Sequence, residues 1–181
     1  MIDEQVKLKS ITVAQCIILI WCIASCNFSE KEIYRISYNY QGNILILSGL
    51  KDGSQRLYEG GARIYDIPST GILVTQFEKD YGMINKQFTY FPLGQIKRLP
   101  GVHFQDDKTR LDQNKTYAFY GRGYNIGFPR EGQIGVEVLT ICKPTELPIY
   151  SNEPFIECIA SLPLKEISYA NLVKLKRQMS K

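Results

Sequence analysis

The chain has 181 residues, within the size of one domain, so a second independent core is not expected. Its 44% hydrophobic and 22% charged residues exclude an intrinsically disordered chain. The formal charge of +4, with no run of five like charges, gives no sign of a nucleic-acid-binding arm.

Residues 1–10 are polar, and residues 11–25, "ITVAQCIILIWCIAS", are mostly apolar and then stop. This is the layout of an export signal, and 15 residues interrupted by Gln15 are short for a bilayer span that needs about 20. The segment before the apolar core carries Asp3 and Glu4 against Lys7 and Lys9, so it lacks the usual positive excess; a true start further downstream would explain this. An uncleaved anchor or a buried N-terminal helix is the alternative.

The run Ile23-Ala24-Ser25-Cys26 resembles the lipobox of bacterial lipoproteins: an aliphatic residue, two small residues, then cysteine. The resemblance implies cleavage between Ser25 and Cys26 and acylation of Cys26 with palmitate-class chains. Each buried CH₂ contributes about 0.8 kcal/mol, so several chains anchor the protein stably. Asn27, rather than aspartate, follows the cysteine. The lipoprotein resemblance therefore implies a cell-envelope location, and the outer membrane where a cell has one. On this reading, residues 1–25 are signal, 26–32 a lipidated tether and 33–181 one β-rich domain.

Twelve Tyr, eight Phe, 14 Gly and 8 Pro favour strands and turns. In "IYRISYNY", Tyr34, Ile36, Tyr38 and Tyr40 share one face, the period of a half-buried strand. Ile44 to Leu47 is a continuous apolar run, suited to a strand covered on both faces. Two short strands around Gly60-Gly61 read as a hairpin, and Pro68-Ser69-Thr70-Gly71 as a turn into "ILVTQF". Further strands are expected at Asn85 to Phe91, Gln95 to Leu99, Thr116 to Tyr120, Gly135 to Cys142 and Phe155 to Leu162. Turn signals every eight to twelve residues give the rhythm of an antiparallel β-sandwich or barrel. A C-terminal helix over 168–179 follows from Ser168, Leu172, Leu175 and Met179, spaced four, three and four apart.

The block Tyr58 to Phe91 resembles an uncharacterised family of small bacterial secreted proteins and lipoproteins, a domain of unknown function. Tyr65, Ile67, Pro68, Gly71, Leu73, Thr75, Phe77, Gly82, Ile84 and Phe88 carry the match. That family lends no activity. The strand-turn-strand core also resembles transthyretin-like and carboxypeptidase regulatory sandwiches, at the level of fold alone.

Candidate functional residues are few. Cys142 and Cys158 would close a loop of about 15 residues if bridged, contributing about 3 kcal/mol; otherwise they act as small buried hydrophobes. His103, the only histidine, could form an acid-base group with Asp106 or Asp107, but it lacks ligands at zinc spacing. The segment "DDKTRLDQN" lacks the spacing of a calcium loop, so no metal and no cofactor are expected. "GRGYNIG" imitates half a dinucleotide fingerprint but precedes a proline and turn residues where a helix is needed. Tyr117, Phe119, Tyr120 and Tyr124 around Arg122 form the candidate binding surface, suited to stacking on a sugar or peptide. The resulting expectation is a non-enzymatic, membrane-anchored envelope component that contacts an envelope protein or a glycan, with no nucleic-acid partner. The alternatives are a small envelope hydrolase using His103, or an inhibitor or immunity-type lipoprotein.

Overall fold

A computed structural model describes residues 31–79, 85–91, 97–128, 132–149 and 153–179. The strands are β1 (Lys31–Ser37), β2 (Gly42–Ser48), β3 (Leu57–Glu59), β4 (Ala62–Ile67), β5 (Ile72–Thr75), β6 (Asn85–Phe91), β7 (Lys97–Leu99), β8 (Gly101–His103), β9 (Tyr117–Phe128) and β10 (Gly132–Cys142). Two helices follow, α1 (Glu153–Ser161) and α2 (Tyr169–Met179). The strands form two five-stranded sheets, ordered β3-β4-β1-β6-β7 and β5-β2-β10-β9-β8.

The protein is mostly β, with a C-terminal helix, as the turn rhythm and the apolar stripe of the last residues imply. The inner faces of the sheets meet in one core: Tyr34, Ile36, Tyr65, Ile67, Phe88 and Tyr90 from the first sheet against Ile44, Ile46, Leu73, Ala118, Leu139 and Ile141 from the second. Strand directions depart from the antiparallel expectation. β1 runs parallel to both neighbours, β4 and β6, and β2–β5 and β8–β9 are parallel too. The cause is connectivity: β1 leads into β2 of the other sheet, so no hairpin joins β1 to β4 or β6; the chain returns to the first sheet at β3, turns into β4, and returns again from β5 to β6.

The outer face of the second sheet is buried as well. Leu45, Leu47, Val136 and Val138 pack under Phe155, Ile156 and Ile159 of α1 and Leu172 of α2. β2 is therefore covered on both sides, which is why "ILIL" does not alternate. Helix α2 is further tied to the sheet by Lys176, whose Nζ donates to the carbonyls of Thr70 (2.7 Å) and Asn43 (3.2 Å). Those carbonyls frame the Pro68–Gly71 turn, where the Gly71 N–H donates to the Pro68 carbonyl at 2.8 Å. Gly71 has φ +70°, and a Cβ there would lie 1.9 Å from the Tyr40 hydroxyl, so only glycine fits.

Four local expectations are corrected. The expected strand Phe155 to Leu162 falls on helix α1, which ends at Ser161: Phe155, Ile156 and Ile159 form a helical stripe, and Glu153-Pro154 open the first turn. β1 begins at Lys31, two residues inside the expected tether, and ends at Ser37, so Tyr38 is exposed and Tyr40 lies in the following turn. β9 continues through the glycine-rich segment to residue 128. Cys142 and Cys158 are free thiols; Cys142 is buried with Val102, Tyr117 and Phe119, while Cys158 sits half-buried on α1. Burial and the neighbouring Glu146 push the Cys142 thiol up to about 12.

If α2 is an integral layer of the fold, Leu172→Ala should destabilise the protein by about 2–5 kcal/mol. Lys174→Ala, on the exposed side of the same helix, should stay within about 0.5 kcal/mol. Urea unfolding of the two variants measures the difference.

Candidate ligand cleft at the end of the sandwich

Because β1 lies between two parallel partners, residues in register stand side by side on the inner face. One rung is Tyr65, Tyr34 and Phe88, with ring centroids 4.8 and 5.0 Å apart. The rung before it is Arg63, Glu32 and Lys86. A carboxylate buried to 3% exposure must be paired and hydrogen-bonded to remain charged. Glu32 meets both conditions. Its Oε1 accepts from the Tyr65 hydroxyl at 3.0 Å, its Oε2 accepts from the Tyr34 hydroxyl at 2.5 Å, and Lys86 Nζ lies 3.4 Å from Oε2.

The network bridges the two sheets. Lys86 Nζ also donates to the Tyr34 hydroxyl at 2.9 Å and forms an ion pair with Glu137 of β10, in the opposite sheet. Glu137 Oε2 lies 3.2 Å from the Tyr34 hydroxyl. A hydroxyl has one proton, so Tyr34 donates chiefly to Glu32, the nearer acceptor, and accepts from Lys86. Burial first, then the charges of Glu137 and Glu32, hold the Tyr34 hydroxyl well above its ordinary value of 10.0. Tyr65 is raised in the same way, by burial and then Glu32.

Above this floor opens a cleft of about 400 Å³, within the usual size of small-ligand sites. Its walls come from Ser48, Lys79, His103, Tyr120 and the segment Gly121–Gly123. The glycines make room for the basic side chains. A Cβ on Gly121, where φ is +99°, would lie 2.1 Å from His103 Nε2. A Cβ on Gly135 would lie 2.7 Å from Lys79 Cβ, and one on Gly123 3.0 Å from Lys79 Nζ. The glycine-rich strand is thus a surface over which Lys79 and His103 lie. Lys79 Nζ donates to Asn125 Oδ1 at 3.3 Å, and partial burial lowers its pKa from 10.5, although Glu137 opposes the shift.

The residues singled out from the sequence divide. Tyr117 and Phe119 are buried, 7% and 0% exposed, among Val102 and Cys142, so they are core and not binding surface; their alternation places them under Phe104, Leu111 and Leu147. Tyr120 lines the cleft, edge-on to His103 with centroids 5.4 Å apart. Arg122 also lines it, and its guanidinium sits 4.0 Å above the Phe104 ring. Tyr124 is 37% exposed beyond the cleft. His103 is not joined to the nearby aspartates through its ring. Asp106 accepts from the His103 backbone N–H, Asp107 accepts from Thr109, and the imidazole Nδ1 accepts from the Gln105 N–H at 3.2 Å. Ser25 and Cys26 lie outside the described residues. Among the described residues no group of three or more His, Cys, Asp or Glu side chains is placed to hold a metal ion.

Sequence reasoning missed Glu32, Lys86 and Glu137. The signal was present: Glu32-x-Tyr34-x-Ile36, Lys86-x-Phe88-x-Tyr90 and Glu137-x-Leu139-x-Ile141 each start an apolar inward face with a charge.

Comparison with known proteins gives a family but no activity. Residues 29–122 match a family described as a family of unknown function (DUF6843), and the Tyr58–Phe91 block lies inside that stretch. No curated protein matches. A 2.75 Å crystal structure of a Bacillus anthracis protein, provisionally described there as a lipoprotein, is similar over 83% of this chain and 94% of that chain. The identity is 11% and the TM-score 0.49, a likeness that assigns neither fold nor role.

Removing the shared cation leaves two carboxylates facing each other, so Lys86→Met should destabilise the fold by about 3–5 kcal/mol. Adding Glu137→Gln should recover part of the loss in chemical denaturation. The tyrosines predict an alkaline limit. Their folded pKa values lie above the unfolded value of 10.0, so their contribution is complete below pH 10 and is lost as pH rises beyond it. In a spectrophotometric titration, the phenolate signal of Tyr34 and Tyr65 should appear only with unfolding.

Proposed function

We propose that this chain, which belongs to the DUF6843 family of unknown function, is a lipid-anchored cell-envelope protein that binds a small polar ligand without transforming it. The observation that carries the reading is the cleft of about 400 Å³ floored by a buried, fully engaged charge network. Apolar residues would close that end of the core at lower cost in desolvation, so the charges are better explained by what the cleft meets than by stability. The anchor rests on Ile23-Ala24-Ser25-Cys26 and on the short connection from Cys26 to β1. No helix among the described residues is long and apolar enough to cross a membrane.

A binding role is favoured over hydrolysis by the positions around His103. Both neighbouring carboxylates accept from backbone N–H groups, Asp106 from His103 and Asp107 from Thr109. The ring of His103 thus has neither aspartate as the orienting partner that acid-base work calls for.

Cys26→Ser should abolish incorporation of labelled fatty acid, leave a full-length precursor, and move the protein out of the acylated membrane fraction. A Ser variant that still matured and carried lipid would overturn the anchor. For the cleft, a thermal-shift series of sugars, short peptides and phosphate compounds should include a ligand that raises the midpoint of the native chain. A ligand at a hundred times its Kd adds about 2.7 kcal/mol. Gly123→Val, which fills the space beside Lys79, should remove that response, and an unchanged response would refute the cleft as the site.

A further inference from the structure

The cleft lies at a particular end of the sandwich. Glu32 and Lys86 are the second residues of β1 and β6, while Ser48 closes β2 and Lys79 follows β5. This is the end at which the chain enters β1. Four residues, 27–30, lie between Cys26 and Lys31, and each of the five steps from one residue to the next covers at most about 3.5 Å in a fully extended chain. An acylated Cys26 would therefore hold the start of β1, the end at which the cleft opens, within about 17 Å of the lipid surface.

The chemistry of the lining has a sign. Three cationic side chains, Lys79, Lys86 and Arg122, stand against two carboxylates, Glu32 and Glu137. Both carboxylates are engaged within the floor by Lys86 and the tyrosine hydroxyls. The walls above present donors. His103 Nδ1 accepts a backbone N–H, which leaves Nε2, the atom that lies over Gly121, as the ring donor. Ser48 adds a hydroxyl, and Gly121 and Gly123 let His103 and Lys79 lie close against β9 at the cleft wall. Several N–H and O–H donors around a net positive cleft suit a tetrahedral oxyanion.

We infer that the cleft holds the phosphate group of a ligand met at the membrane surface, with Lys79 and His103 as contacting donors and the Glu32–Lys86–Glu137 floor as their fixed base. The membrane placement rests on the anchor proposed above; the phosphate chemistry rests on the cleft alone. A phospholipid headgroup and a soluble phosphate offer the same oxyanion, and the experiment separates them.

The full-length acylated protein is placed in phosphatidylcholine vesicles, and its thermal midpoint is measured after adding phosphatidylglycerol to the bilayer or inorganic phosphate to the solution. A rise with phosphatidylglycerol alone identifies the headgroup as the source, and a rise with inorganic phosphate identifies a soluble ligand. Lys79→Ala should weaken the response about tenfold, the loss of one charge-assisted hydrogen bond. Gly123→Val should abolish it with every charge retained, and Lys174→Ala, on the exposed face of α2, should leave it unchanged. No response to either phosphate source, or an equal loss in Lys79→Ala and Lys174→Ala, would overturn the inference. Intact mass of the purified protein reads the anchor independently: a chain without acyl groups that still answers inorganic phosphate refutes the membrane placement and not the phosphate site.

Discussion

Lys86 is the point at which the two halves of the sandwich are referred to each other. Its ammonium lies between Glu32 of its own sheet and Glu137 of the opposite one, and it donates to Tyr34 between them. Side chains alternate along a strand with period two, so a one-residue slip of β1 against β4 or β6 would turn Glu32 outward and bring Ile33 in. Lys86 would then face Glu137 without its second carboxylate, and the Tyr65 and Tyr34 hydroxyls would lose their acceptor inside the core. An apolar core tolerates slips of this kind far better than a buried charge does. The network therefore selects one register among several that would bury similar apolar area.

The same network explains an asymmetry between the ends of the core. Moving along β1, β6 and β10 away from the charged rung, the inward residues become Tyr34, Phe88 and Leu139, then Ile36, Tyr90 and Ile141. One end of the sandwich is sealed by close-packed aromatic and branched side chains, and the other opens into the cleft. The helices reinforce the sealed layer by covering the outer face of the second sheet, which leaves β2 and β10 with no solvated face over most of their length. Lys176 of α2 reaches the turn at Thr70 and the carbonyl of Asn43, binding the helical layer to the region from which β2 and β5 start, away from the cleft.

How much of this was legible from the residues follows from physical range. The hairpin at Gly60-Gly61, the turn at Pro68–Gly71 and the strand Asn85–Phe91 are set by neighbours in sequence, and each falls where its pattern put it. Helix α1 does not show in the periodicity of its residues, because a short apolar run fits either a buried strand or a helix, and only the Glu153-Pro154 opening separates them. Parallel pairing of β1 was not readable, since it depends on which sheet β2 joins, a choice made by contacts distant in sequence. Tyr117 and Phe119 read as surface from the sequence because aromatics beside an arginine suit both binding and packing, and burial alone decides between them. The charged rung was written in the sequence as a repeated charge, aromatic or aliphatic, aliphatic alternation, yet its meaning required β1, β6 and β10 to be brought together.

The glycine-rich part of β9 takes its sense from that assembly. A strand loses stability when it carries Gly121, Gly123 and Gly127, because each gives up side-chain packing and increases the entropy lost on folding. The strand is nonetheless held over twelve residues by its pairing with β10, and the register shifts between Val138 and Thr140, opposite Gly121. That shift is where His103 lies over the strand, and Lys79 lies over it at Gly123 and over the neighbouring β10 at Gly135. Larger residues at these positions would extend the apolar core to the end of the sheet and displace both basic side chains. Glycine keeps the strand continuous while leaving its surface to the basic side chains, so the loss of local packing and the positively lined end of the sandwich are two consequences of the same two residues, Gly121 and Gly123.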